Sequence, residues 1–147
     1  MGSLLYLSEF LESRRDQYYA GLQNISRSGD WTSWIEFFLE AVTPQALENT
    51  VRVRNILALY DAMKNRIQTL TRSQHTIKIL DTLFDRPIFQ SSDFVERTGI
   101  PKQTALPILR KLKDAGILRP LREKSGRRSA ILAFPELLNR AEGRQVI

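Results

Sequence analysis

Residues 99–118 read GIPKQTALPILRKLKDAGIL. The stretch begins at a glycine turn, carries helical periodicity, and closes on a second glycine followed by apolar residues. If a helix runs from about Lys102 to Ala115, then Ala105, Ile108, Leu109 and Leu112 form its buried stripe. The opposite face carries Gln103, Leu106, Pro107, Arg110 and Asp114, with Lys102, Lys111 and Lys113 on the flanks. That pattern is the second helix of a helix-turn-helix.

Its surroundings complete the motif. Upstream, a helix over about residues 73–85 presents Ile77, Leu80, Leu83 and Phe84, and Pro87 ends it ahead of a short extended run, RPIFQ. Ser91 or Ser92 is expected to cap a short helix, DFVERT, with Asp93 in its first turn and Gly99 as the turn after it. Downstream, Gly116 stops the long helix, and ILRPLRE and RSAILAF flank KSG as a hairpin. PELLNRAEGR is a last short helix with Pro135 at its first position. Helix, strandlet, helix, turn, helix and basic hairpin spell a winged helix-turn-helix over residues 71–147.

The first half, residues 1–70, reads as helices only. A first helix from an N-cap at Ser3 presents Leu4, Leu7, Leu11, Tyr18, Leu22 and Ile25 and stops at Gly29. Asp30 caps a second, WTSWIEFFLEAV, whose Trp31, Trp34, Phe37, Phe38 and Leu39 call for burial on several sides. Thr43-Pro44 reads as the start of a third, with a stripe of Val53, Ile56, Tyr60, Met63, Ile67 and Leu70. The stripe fits either intramolecular packing or a short dimer seam. The fold class is therefore mainly α: a helical bundle, then a winged helix with a small β-hairpin wing.

Charge separates the halves. Residues 1–68 hold 7 Lys+Arg against 8 Asp+Glu, a net −1, whereas residues 69–147 hold 15 against 8, a net +7. One module is thus suited to a polyanion and the other is not. Within the basic half, Lys102, Gln103, Thr104, Arg110 and Lys111 on the helix and Arg119, Arg122, Lys124, Arg127 and Arg128 on the hairpin are the candidate DNA-contacting residues. Gln103 and Arg110 are the types that read adenine and guanine edges, while the wing cations suit phosphate. Leu106 and Pro107 offer only apolar contact, and Asp114 repels phosphate. In mid-helix, Pro107 costs roughly 3 kcal/mol or more. A regular helix starting at Thr104, as cap or just after a kink, would relieve that cost. Direct sequence readout is then expected to be poor, with the wing as the main contact.

Other functions find little support. The single histidine, His75, stands at a helix start with no motif around it, and the chain has no cysteine. No Gly-rich phosphate loop, metal-ligand spacing or activated nucleophile can be assembled, so no catalytic residue, metal or cofactor is assigned. No apolar run approaches the ~20 residues of a membrane helix, and the N-terminus lacks a signal-peptide cleavage site. A cytoplasmic protein is the expectation.

The first forty residues carry a family resemblance. LYLS at residues 5–8, Tyr18-Tyr19 followed by Leu22, and GDW…W…FFLEAV over residues 29–42 resemble the end of the Fic domain in large Fic-family (Fic/DOC) proteins. In that family a long helix and a winged helix follow, so the resemblance spans nearly the whole chain. It implies a parent activity of protein AMPylation, the transfer of AMP from ATP to a hydroxyl of a target protein. The family's H-P-F-x-[DE]-G-N-G-R loop is absent: His75 is followed by Thr76-Ile77-Lys78. The resemblance places that loop upstream and so implies a non-catalytic C-terminal regulatory part. Its apolar helices, residues 4–70, would meet another copy of the chain or the Fic catalytic part. The winged helix would regulate through DNA or, alternatively, through protein contacts or dimerisation.

Overall fold

A computed structural model describes residues 7–126 and 128–147. The chain forms two compact units, Met1–Val53 and Arg54–Ile147. The described residues are mainly helical, with one small antiparallel sheet. Among the described residues, no helix is long and apolar enough to cross a membrane.

In the first unit, Ser3 and Leu4 lie outside the described residues, and the single helix expected there is two: α1 (Leu7–Ser13) and α2 (Arg15–Ser28). The break falls at Arg14, with φ −121° and ψ 36°. There the Ser13 hydroxyl donates to the Phe10 carbonyl at 2.7 Å, a local bond that competes with the helical ladder. The Arg14 guanidinium lies over the Phe10 ring at 4.7 Å and 3.7 Å from Glu40. As expected, α2 stops at Gly29 and Asp30 caps the next helix, accepting the Ser33 N–H at 3.1 Å and its hydroxyl at 2.7 Å. Those bonds, the hydroxyl first, hold the Asp30 carboxyl below the usual range.

That next helix, α3 (Trp31–Thr71), corrects two expectations. It does not restart at Thr43-Pro44 but runs through, with Pro44 inside it. Thr43, Pro44 and Glu40 are all exposed, so the Glu40 carbonyl that Pro44 cannot serve is left to water. Nor is its aromatic segment buried on several sides. Trp34 and Phe37 are half-buried and stack at 5.8 Å, with Tyr18 and Phe10 against them. Trp31 and Leu39 are 59% and 55% exposed, and Phe38, Ile35 and Leu47 are exposed too. This unit keeps more apolar surface in water than a small helical unit ordinarily does.

The second unit takes the last turns of α3 into its own core, so the compact body begins at Arg54 rather than after residue 70. Met63 and Ile67 are buried, with Ile56, Tyr60 and Leu70 packed against the same cluster. The stripe thus serves intramolecular packing here; Val53, outside it, is exposed, and Leu59 joins it fully buried. Next come α4 (Thr76–Asp85), β1 (Ile88–Gln90), α5 (Ser91–Thr98), α6 (Lys102–Asp114), β2 (Arg119–Arg122), β3 (Ile131–Ala133) and α7 (Pro135–Glu142). The start of α4 falls three residues later than read, because Ser73 forms a turn ahead of it: its hydroxyl accepts the His75 N–H and its carbonyl the Thr76 hydroxyl. Similarly, neither Ser91 nor Ser92 caps α5. The chain passes straight from strand to helix at Gln90, and the Ser91 N–H is spent on the Ala130 carbonyl at 3.0 Å.

The sheet has order β1-β3-β2, both pairs antiparallel, with Phe89 opposite Leu132 and Arg119 opposite Ala133. Phe94, Phe134, Leu80, Leu83, Ile100, Leu112 and Leu118 fill the core between the helices and the sheet. Helix–turn–helix α5–α6 with the hairpin β2–β3 beside it is a winged helix-turn-helix.

Candidate nucleic-acid interface

The second helix of the motif starts earlier than expected. The Pro101 carbonyl accepts the N–H groups of Thr104 at 2.8 Å and Ala105 at 2.9 Å, so α6 is helical from Lys102. Thr104 is its third residue, not its cap. With Pro101 supplying the first acceptor, the turn closes three residues upstream of any Thr104 cap. Pro107 therefore stands inside the helix, where it leaves the Gln103 carbonyl without its usual donor. Gln103 and Pro107 are both exposed, and water can take that carbonyl.

The other end is well closed. Gly116 has φ 72°, which a residue with a Cβ rarely adopts. It lets the Gly116 N–H reach the Lys113 carbonyl and the Ile117 N–H reach the Leu112 carbonyl, each at 2.9 Å. Ile117 and Leu112 then share the core.

The faces of α6 fall as the periodicity indicates. Ala105, Ile108, Leu109 and Leu112 are buried. Lys102, Gln103, Thr104, Leu106, Pro107, Arg110, Lys111 and Asp114 are exposed. Among the described residues, no ion pair engages Lys102, Arg110 or Lys111.

The wing grows from β2, an edge strand, which is why Pro120 is tolerated within it. Arg119 and Arg122 are exposed, and a bulge between Pro120 and Arg122 leaves Leu121 exposed as well. The Arg122 guanidinium donates to the Ser129 carbonyl across the hairpin at 3.4 Å. At the tip, Ser125 and Arg128 exchange backbone bonds of 2.9 and 3.3 Å. Lys124 and Arg128 are exposed; Arg127 lies outside the described residues.

Two contacts tie these parts together, and neither has a local signature in the sequence. Lys113 of α6 lies 3.7 Å from Glu123, just past the end of β2, so the hairpin's carboxylate faces a cation already. Arg66, near the end of α3, donates to the Ala115 carbonyl at the end of α6 from 49 residues away. Such a long-range pair leaves no periodicity or spacing by which to find it. His75 flanks the start of α4, half-buried, away from any catalytic constellation it could join among the described residues. The exposed cations of α6 and the wing are of a type that suits an anion. No known protein-family profile matches the chain.

Proposed function

We propose that this chain is a non-catalytic regulatory part of a Fic-like protein whose winged helix binds DNA, mainly through its basic wing and the cationic flanks of α6. One observation carries the reading. Exposed Lys102, Arg110, Lys111, Lys124 and Arg128 lie on two elements bridged by the Lys113–Glu123 contact. Flexible cations in that arrangement suit a phosphate backbone, and the net +7 of residues 69–147 adds a long-range attraction. The Fic-like first forty residues support the regulatory assignment. In this reading the apolar surface of the first unit receives either a second copy of the chain or a Fic catalytic part.

A second reading rests on a specific observation. Leu106 is 41% exposed and stands beside exposed Pro107, with Asp114 on the same helix face. That composition suits a winged helix that contacts protein instead.

Anisotropy of a random-sequence duplex, titrated from low to moderate salt, separates the two. DNA binding gives an affinity that falls with salt at a slope near −0.9 per phosphate contact. Absence of binding at low salt refutes the DNA reading and leaves the protein-contact one. Sedimentation over a concentration series tests the first unit: a monomer at every concentration argues against self-association.

A further inference from the structure

Resting on the DNA-binding reading, we infer that Leu106 and Pro107 form an apolar reader for the 5-methyl group of thymine in the major groove. The chemistry of this part of α6 is otherwise wholly polar. Gln103 and Arg110 flank the apolar pair on the same exposed face, and Lys102 and Lys111 border it. Asp114 lies a full turn beyond Arg110, in the last turn of α6 with Lys111 and Lys113. An occupant of this face must therefore be anionic at its margins and present one apolar feature at its centre. Duplex DNA does both: among the base edges in its major groove only thymine offers a methyl, and every other group there is a donor or an acceptor.

Spacing agrees with this assignment. Seven residues separate Gln103 from Arg110, about 10 Å of helix, or roughly three base-pair steps. Leu106 and Pro107 fall between them. A purely polar edge at that position would lose its water against two apolar side chains and gain nothing in exchange. The site so read holds a T·A pair at its centre, adenine on the Gln103 side and guanine on the Arg110 side. Pro107 suits the task because its ring presents carbon without rotamer freedom, so no side-chain entropy is lost on contact. The regular course of α6 from Lys102 allows this readout. A helix beginning at Thr104 would not hold Gln103 on the same face.

The test uses the full chain. A random duplex pool is enriched by binding, and the enriched site is made with thymine or with deoxyuridine at each T in turn, uracil lacking only the methyl. One substitution is expected to weaken binding about fourfold, the equilibrium worth of one buried methyl. Leu106→Ala should bind the thymine duplex more weakly by a similar factor and no longer distinguish T from U. Alanine favours an exposed helix position, so that variant folds. Arg128→Ala should weaken both duplexes equally. An enriched site indifferent to uracil overturns the inference, as does a Leu106→Ala variant that still distinguishes the two. Salt-dependent binding with no enriched sequence overturns it while leaving DNA binding intact; no binding at low salt overturns both.

Discussion

The Arg66 guanidinium donates to the Ala115 carbonyl at 3.0 Å, which places a cation from α3 at the negative end of the α6 dipole. The carbonyls of a helix's last turn have no partners within the helix, and a charged donor there both bonds them and opposes the dipole. Arg66→Ala should destabilise the second unit by about 1 kcal/mol, the worth of an exposed charge-assisted hydrogen bond. Chemical denaturation followed by far-UV circular dichroism checks this. Arg66→Lys keeps the charge but shortens the reach, and should recover only part of the loss. Equal midpoints for all three proteins would mean that the contact is solvated.

Lys113 and Glu123, 3.7 Å apart, make an opposite prediction for binding. Exposed pairs of this kind add roughly 0–1 kcal/mol to stability, so Glu123→Gln should leave the denaturation midpoint nearly unchanged. It removes the carboxylate that follows β2, however, and frees Lys113. DNA affinity at low salt should rise several-fold and the salt slope should steepen by about one contact. Lys124→Ala and Arg128→Ala should each flatten the slope by about one. Unchanged slopes in all three would mean that the wing is a solvated hairpin.

Much of this was legible in the sequence, and two of the misread helix starts share a cause. Gly29, Gly99 and Gly116 each sit in the left-handed conformation at a helix end, as their positions after periodic segments indicate, whereas Gly143, read as part of the last helix, ends it instead. The buried stripe of α6 and the hairpin follow equally from local pattern. What misled was proline. Thr43-Pro44 has the form of a helix start, and Pro107 argues for a helix beginning at Thr104, yet both prolines lie inside helices. Proline's penalty depends on where the abandoned carbonyl faces, and a sequence does not say which side of a helix meets water. The contacts of Arg66 and Lys113 were illegible for a different reason: each joins segments brought together only by the core. Of the candidate residues, Arg127 alone lies outside the described residues, while the others are exposed as a binding role requires.

Gly21 offers a test of the first unit. A Cβ added there would lie 2.8 Å from Trp34 Cε3, closer than real contacts allow, and the indole edge cannot withdraw without disturbing its stack on Phe37. Alanine favours a helix interior, so on propensity alone Gly21→Ala would stabilise α2. Overpacking should win here, with a loss of about 1–3 kcal/mol. Both tryptophans of the chain, Trp31 and Trp34, belong to this unit, so fluorescence reports its unfolding separately. A gain in stability would show that α2 and α3 part easily at this point.

Tyr60 makes the last prediction, at high pH. Its phenol donates to Asp81 Oδ1 at 2.6 Å, and its ring meets Phe84 edge-on at 5.0 Å. The hydrogen bond to Asp81 raises the Tyr60 pKa above the ordinary tyrosine value, with burial and the charges of Asp81 and Asp61 adding to it. Because the folded state holds the proton more tightly than the unfolded one, the contribution to stability is fully present below about pH 10, the unfolded value. It is lost as pH rises through the raised folded value. The native protein should therefore show a descending alkaline arm that Tyr60→Phe lacks, over and above the lysine titration common to both. Tyr60 is the sole tyrosine of the second unit, the others being Tyr6, Tyr18 and Tyr19, so a difference titration of phenolate absorbance isolates it. Near neutral pH, Tyr60→Phe should cost about 1 kcal/mol for the lost bond to a charged acceptor. Parallel stability–pH curves from pH 8 to 11 would mean that folding does not raise the Tyr60 pKa.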